Sequence, residues 1–249
     1  MLATIRRYLL RSARLNVVAL SIALGVCVSL AACGVTPTRQ AAPHIAGVAA
    51  PGRTLVVMGA SDAYGVGSYD PDRQNWPTRL AEDLPQPVHL VNLGIPGATL
   101  AQAQQEELPI AIAQRPQILV IWLAVNDIID DVPLTTYSAE LRSTLAAIKV
   151  ESPGTQVFVG NVPDLSRLPY FDLRDPVTLR AEVGQWNAAI AQVCGEEGAT
   201  LANIASTWGR LGDHRDYISS DGLHPSSLGA VELAAYFNAI IRQTLTLNG

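Results

Sequence analysis

The chain has 249 residues, of which 49% are hydrophobic and 16% are charged, and its formal net charge is −5. This composition excludes a disordered chain and is sufficient for one substantial hydrophobic core. Lys149 is the single lysine, and the arginines form no basic cluster beyond the N-terminus, so the charge pattern argues against a nucleic-acid partner.

The first 32 residues have the pattern of an export signal. Four arginines fall within residues 1–14, and an uncharged apolar run then fills Leu15–Ala32. The run is close to the minimum length of a membrane-spanning helix, so an uncleaved anchor is the alternative to a cleaved signal. It ends in Leu30-Ala31-Ala32-Cys33, which resembles the bacterial lipobox, whose cysteine is acylated and becomes the mature N-terminus. We therefore expect a lipoprotein signal peptide at residues 1–32 and lipid on Cys33, which predicts an exported protein, anchored to a membrane and facing away from the cytoplasm.

Removal of residues 1–32 would change both the charge and the cysteine count. Four arginines taken from 17 basic side chains leave 13 against 22 acidic ones, which is a net charge of −9. Residues 33–52 are rich in Ala, Pro and Gly without periodicity, so we interpret them as the lipidated cysteine and a tether. Cys27 would leave with the signal and Cys33 would carry lipid, so an intramolecular disulfide is not expected. Cys194 is expected to be a small buried side chain.

Residues 53–249 alternate short apolar runs with amphipathic patterns. Five runs, most of them rich in β-branched side chains, predict strands at Thr54–Met58, Val88–Leu93, Ile118–Leu123, Gln156–Val159 and Thr200–Ile204. Apolar side chains at helical spacing predict helices around residues 137–148, 179–193 and 237–245, and Ser226 or Ser227 can cap the last one. Strands that are apolar on both faces are typical of covered parallel sheets. The expected fold is therefore one three-layer α/β/α domain with a parallel five-stranded sheet.

Chemically useful residues stand where these strands end, and ligands bind at the carboxyl ends of the strands in such a sheet. Ser61 follows the first strand, Gly94 follows the second, Asn126 follows the third, and Asp221 and His224 precede the last helix. Taken alone, Ser61 is either a helix N-cap or a nucleophile. The set together contains what acyl transfer needs: a hydroxyl, a base for its proton, a carboxylate that orients the base, and N–H donors for an oxyanion.

The spacing of Asp221 and His224 favours a direct contact between their side chains. Gly222 lies between them and allows the chain to fold back, so that the carboxylate can reach the imidazole. Pro225 disfavours helical geometry at His224 and keeps this histidine outside the final helix. His214 is the one competing candidate for the base.

These four blocks resemble the SGNH hydrolases, the superfamily that includes the GDSL lipases and esterases and is named for Ser, Gly, Asn and His in four separated motifs. The matching residues, in chain order, are Ser61, Gly94, Asn126 and His224, with Asp221 at the family's aspartate three residues before the histidine. The resemblance covers about residues 54–245 and implies a flavodoxin-like sheet of strand order 2-1-3-4-5. It also implies a serine esterase with a Ser61–His224–Asp221 triad. Its oxyanion hole would be formed by Ser61, Gly94 and Asn126, and no metal or cofactor is required.

Two positions depart from the family pattern. Ala60 stands where the family often has Asp before the serine, and Ala124 stands where the third block usually begins with Gly. Neither change removes a catalytic group, but Ala124 could shift the backbone near Asn126.

Three other kinds of site fit the sequence less well. An α/β-hydrolase would carry a glycine at the position of Ala63, and a dinucleotide-binding loop would carry its third glycine at the position of Asp70. The acids Asp127, Asp130 and Asp131 could suggest a cation site, but we interpret them as a solvated loop after the third strand.

The substrate is predicted only as a carboxylic ester of a lipid, an acetylated sugar or a small acyl group. Specificity is expected in the loops at residues 63–75 and 162–176, where Leu168, Tyr170 and Phe171 could line an acyl pocket or belong to the core. Two non-enzymatic alternatives are a solute-binding lipoprotein, which would usually need two lobes, and a catalytically silent surface-binding lipoprotein. The sequence does not predict the oligomeric state.

Overall fold

The computed structural model describes residues 52–207 and 214–247, so the predicted signal peptide, Cys33 and almost all of the tether lie outside the described residues. Five strands are present in the described part of the chain: β1 Arg53–Gly59, β2 Val88–Asn92, β3 Ile118–Trp122, β4 Gln156–Gly160 and β5 Thr200–Ala202. The helices there are α1 Ser61–Tyr64, α2 Pro71–Gln74, α3 Trp76–Asp83, α4 Leu100–Glu106, α5 Leu108–Ala113, α6 Val125–Ile129, α7 Leu134–Glu151, α8 Pro176–Glu197, α9 Ile204–Thr207 and α10 Ser227–Leu247.

The strands form one parallel sheet in the order β2-β1-β3-β4-β5. This arrangement confirms both the expected three-layer α/β/α fold and the strand order implied by the family resemblance. The register places Gly59 of β1 beside Trp122 of β3, and Val57 beside Asn92 of β2. The ends of the three strands that precede the candidate residues therefore meet at one edge of the sheet.

The core lies on both faces of β1 and β3. Residues 55–58 and 118–121 are at most 1% exposed, as expected of central parallel strands covered by helices. An aromatic cluster joins the sheet to α3 and α10: Trp76 stacks on Phe237 with ring centroids 4.8 Å apart, and Trp122 meets Trp76 edge to face at 6.0 Å. Elsewhere in the core, Tyr137 of α7 packs on Trp186 of α8 at 4.8 Å.

Local sequence explains where the longer helices begin and end. Ser226 caps α10 by accepting a hydrogen bond from the Gly229 N–H at 3.2 Å, as expected for one of the two serines at this point. Asp175 caps α8 through the Thr178 N–H at 2.8 Å, and Gly198 ends it with φ of 78°. Cys194 of α8 is 1% exposed, which confirms the expected buried side chain, and burial raises the pKa of its thiol to about 11.

None of the helices in the described ranges has the length and apolar character needed to cross a membrane.

Candidate active site

Ser61 lies at a tight turn between β1 and α1. The strand ends at Gly59, Ala60 occupies the N-cap position without a side-chain hydrogen bond, and Ser61 is the first helical residue. A Cβ atom on Gly59 would lie only 2.7 Å from the Ala63 Cβ, so the turn requires glycine there. The hydroxyl of Ser61 does not cap the helix; its Oγ lies 2.8 Å from Nε2 of His224.

His224 connects Ser61 to Asp221. The imidazole Nδ1 lies 2.7 Å from Oδ2 of Asp221, and the other carboxylate oxygen accepts the backbone N–H groups of Leu223 at 2.9 Å and His224 at 3.0 Å. Gly222 has φ of 76°, the left-handed conformation that lets the chain fold back within three residues. As the sequence predicts, His224 stays outside α10, which begins at Ser227.

The environment of Asp221 favours its charged form. Burial is the largest single influence and raises the pKa of this carboxyl. The hydrogen bonds to it, led by those of the His224 and Leu223 backbone N–H groups, together outweigh burial, and its pKa falls below the ordinary value. Asp221 is therefore ionised at neutral pH and can hold a proton on Nδ1 of His224. In that tautomer Nε2 is free to accept the proton of Ser61 Oγ.

Asn126 lies on α6 beside the same turn. Its Nδ2 atom donates to the Ala98 carbonyl at 2.8 Å, which ties α6 to the loop that follows β2. Ala124, where glycine is usual in the family, has φ of 158° and ψ of −28°, and its carbonyl accepts the Ile128 N–H at 3.0 Å to begin α6.

The interpretation of Asp127 as part of a solvated loop is wrong. Asp127 is fully buried on α6, and both of its carboxylate oxygens accept the Leu100 N–H, each at 3.2 Å. The hydrogen bond stabilises the start of α4, and burial raises the pKa of the carboxyl to about 6. Within residues 52–207 and 214–247, no group of His, Cys, Asp and Glu side chains has the arrangement of a metal site.

Gly94 packs directly against α1, but its N–H is already engaged. The N–H donates to Oδ1 of Asn92 at 3.1 Å, and the amide of Asn92 in turn donates to the Ala63 carbonyl at 2.7 Å. A Cβ atom on Gly94 would lie 2.8 Å from the Tyr64 nitrogen and 2.9 Å from the Ala60 carbonyl oxygen. The glycine thus brings the β2–α4 loop into contact with the helix that carries Ser61.

A cleft of about 60 Å³ opens beside Ser61, with Asn126 and His224 in its lining. Of the three residues of the loop after β4 that could have lined an acyl pocket, Leu168 does so, whereas the half-exposed Tyr170 and the buried Phe171 do not. Gly94 is not among the lining residues.

Two carboxyl groups near the Ser61 turn, the partly buried Asp62 and the buried Glu107, were not predicted from the sequence. Asp62 accepts the indole N–H of Trp76 at 2.9 Å, and Glu107 accepts the Gly59 N–H at 2.9 Å. Desolvation raises the pKa of Asp62 to about 6 and that of Glu107 to about 8. The two contacts join residues of different elements, 14 and 48 positions apart, so local sequence carried no signal for them.

The competing base, His214, is not at this site. It is exposed, and its ring stacks on Tyr217 with centroids 4.6 Å apart. The histidine that reaches Ser61 is His224.

Comparison with known proteins identifies the family of this chain. The model of the GDSL-like lipase/acylhydrolase family matches residues 57–231, which is more than half of the chain. The chain belongs to this family. It is therefore a GDSL-type serine ester hydrolase of the SGNH superfamily. A search of curated proteins found no match.

Solved structures similar to this GDSL-type hydrolase share its fold at low sequence identity. The lipase/acylhydrolase from Enterococcus faecalis is 18% identical with a TM-score of 0.62, covering 77% of this chain and 96% of that one. The psychrotrophic esterase EstA from Pseudoalteromonas sp. is 16% identical with a TM-score of 0.60, covering 78% and 99%. The acetyl xylan esterase AlAXEase is 11% identical with a TM-score of 0.61, covering 76% and 99%.

Proposed function

We propose that this hydrolase cleaves carboxylic esters through a triad of Ser61, His224 and Asp221. The observation that carries the proposal is the 2.8 Å contact between Ser61 Oγ and His224 Nε2, two residues that are 163 positions apart in the chain. The 2.7 Å contact between Nδ1 and Asp221 supports it, because the ionised carboxylate both orients the imidazole and stabilises its cation.

The reaction proceeds in two halves. Ser61 Oγ attacks the ester carbonyl carbon while Nε2 of His224 takes the hydroxyl proton. The tetrahedral intermediate then collapses, the bond to the alcohol oxygen breaks, and His224 returns the proton to the departing alcohol. Water repeats the attack on the acyl-serine with His224 again as the base, and this releases the acid and restores Ser61.

The developing oxyanion is bound by the Ser61 N–H, the Asn126 side chain and the Gly94 N–H. The first N–H groups of a helix have no intrahelical acceptor, so the Ser61 N–H at the start of α1 is suited to this role. Asn126 lines the cleft. Gly94 can contribute only after its hydrogen bond to Asn92 is exchanged, so we assign the larger share of oxyanion stabilisation to Ser61 and Asn126.

The test is covalent labelling combined with substitution. A serine-directed alkyl phosphonate is expected to label the wild type at Ser61 and to leave Ser61→Ala unlabelled. Ser61→Ala and His224→Ala are each expected to lose nearly all hydrolysis of p-nitrophenyl butyrate, and the double variant to be little worse, because both residues serve one proton transfer. His214→Ala is the matched control and keeps its activity. Full activity in Ser61→Ala would overturn the assignment of the nucleophile. Hydrolysis of no ester by the wild type would leave a catalytically silent binding protein in its place.

We also propose that the enzyme is an exported lipoprotein held at a membrane by lipid on Cys33. The apolar run ending in Leu30-Ala31-Ala32-Cys33 supports this, and these residues lie outside the described part of the chain. Metabolic labelling with a fatty acid is expected to mark the wild type and not Cys33→Ala. Equal labelling of both, or a mature protein that retains residues 1–32, would contradict it.

A further inference from the structure

The cleft beside Ser61 has an apolar wall built by the segment that follows β4. Val162, Leu165 and Leu168 all line the cleft, and their side chains are 1%, 0% and 2% exposed. These residues are therefore part of the packed core as well as the lining of the site. A substrate group that enters the cleft meets core side chains and not a solvent-filled channel.

Hydrogen bonds hold this wall in place. The Val162 N–H donates to Oδ1 of Asn187 at 2.8 Å, and Nδ2 of Asn187 donates back to the Val162 carbonyl at 2.8 Å. The indole of Trp122 donates to the Asn161 carbonyl at 3.0 Å one residue earlier. The Val162 end of the wall is thus clamped between β3 and α8, and moving it would require breaking these hydrogen bonds.

The volume of the cleft limits what fits against this wall. An engineered protein cavity of about 150 Å³ binds benzene, which has six carbon atoms. The cleft here is about 60 Å³ and partly open to solvent, and on the same scale the space against this wall holds about two or three carbons beyond the reacting carbonyl. The apolar side chains of the same segment that could guide a longer chain, Tyr170 and Leu173, are 52% and 102% exposed and do not line the cleft.

We propose that the Ser61 cleft is an acyl pocket for short, unbranched acyl groups of about two to four carbons, and that Leu168, Leu165 and Val162 set this limit. The inference rests on the proposed esterase function, because it assumes that Ser61 receives the acyl group. Long-chain lipid esters are then poor substrates even though the protein belongs to a family of lipases and acylhydrolases.

The first test is the chain-length profile of the wild-type protein on p-nitrophenyl acetate, butyrate, hexanoate and octanoate. One methylene too many in a fitted apolar pocket changes the rate by about 10- to 200-fold. We therefore expect kcat/KM to fall at least about 10-fold between butyrate and octanoate. A profile that stays flat or rises to octanoate overturns the short-acyl proposal and leaves the esterase function intact. Hydrolysis of no ester at all overturns the proposed function itself.

The second test enlarges the pocket. Leu168→Ala is expected to raise the octanoate-to-butyrate ratio of kcat/KM about 10-fold. The matched control is Leu179→Ala, which truncates an equally buried leucine of α8 that does not line the cleft, so it should lose similar stability and keep the wild-type ratio. If Leu168→Ala does not fold, Val162→Ala makes the smaller change and is expected to shift the ratio in the same direction. An unchanged ratio in the folded pocket variant, or an equal shift in Leu179→Ala, contradicts the assignment of the wall.

Discussion

The side-chain amide of Asn126 has two N–H groups, and its hydrogen bond to the Ala98 carbonyl uses one of them. The Ala98 N–H is itself bonded to the Ile95 carbonyl at 3.0 Å, so the acceptor is fixed by its own loop. The amide is therefore oriented before substrate arrives, and its remaining N–H is available at the cleft. A donor held in this way costs no reorganisation when charge develops on the substrate oxygen.

Asn126→Ala is expected to lower kcat on p-nitrophenyl butyrate about 10²- to 10³-fold, the usual cost of removing one oxyanion donor. Its stability should fall by only about 1 kcal/mol, the value of one ordinary hydrogen bond. The control is Asn238→Ala, which removes an amide that donates to the Asp83 carbonyl at 3.2 Å on the surface between α10 and α3. Steady-state kinetics measures the loss of kcat, and melting temperatures measure the loss of stability. An Asn126→Ala variant that melts early but keeps its activity per folded molecule would mean that Asn126 has only a structural role.

At the level of elements, the position of α1 depends on how closely the loop after β2 approaches it. Gly94 permits that approach, because any side chain there would meet the backbone at Tyr64 and Ala60 and the methyl group of Ala63 at 2.8–2.9 Å. Backbone atoms cannot rotate away as a flexible side chain can. A methyl group at Gly94 must therefore displace the helix that carries the nucleophile.

Gly94→Ala is expected to lose about 1–3 kcal/mol of stability, the usual cost of overpacking, and to lose most of its activity. Gly154→Ala is the control, since a Cβ atom there has nothing within 4 Å and should leave both quantities near wild type. Thermal unfolding and p-nitrophenyl butyrate hydrolysis measure the two effects. Wild-type stability and activity in Gly94→Ala would show that α1 tolerates the displacement.

The sheet was predictable because each strand is a short apolar run. The proximity of Ser61 and Asn126 was predictable because parallel strands bring their carboxyl ends together. The approach of His224 to Ser61 was implied only by the family resemblance. The strand bounds differ most at β5, which was predicted to reach Ile204 but ends at Ala202 because α9 begins at Ile204. Helices α1, α2 and α6 have only four or five residues, too few to show helical periodicity. The contacts of Asp62 with Trp76 and of Glu107 with Gly59 depend on packing between elements, and no local pattern specifies them.

For the whole molecule, desolvated carboxyl groups make stability depend on pH. Burial raises the pKa values of Asp62 and Asp127 to about 6 and that of Glu107 to about 8. Between the ordinary carboxyl pKa and these raised values, the folded state binds more protons than the unfolded state, so stability falls as pH rises. Asp221 acts in the opposite sense, because its lowered pKa contributes stability that is lost only in acid.

Glu107→Gln removes the group with the highest of these three carboxyl pKa values while keeping an acceptor for the Gly59 N–H. One pKa unit corresponds to about 1.4 kcal/mol. For a chain of this size, 1 kcal/mol moves the melting temperature by about 2–4 °C. We expect the variant to melt at least about 3 °C above the wild type at pH 9 and close to it at pH 5. The exposed neighbour Glu106→Gln is the control, and parallel pH profiles for Glu107→Gln and wild type would refute the raised pKa.

Strand β1 begins at Arg53 and ends at Gly59, two residues before Ser61. At about 3.3 Å per residue, its two ends lie about 20 Å apart, on opposite edges of the sheet. The chain before Arg53 therefore enters the sheet at the amino ends of the strands, the side opposite Ser61. If residues 33–52 form the proposed lipidated tether, it joins the domain at the opposite end of β1 from Ser61. Such a tether would have to cover about 20 Å before it could reach the cleft beside Ser61.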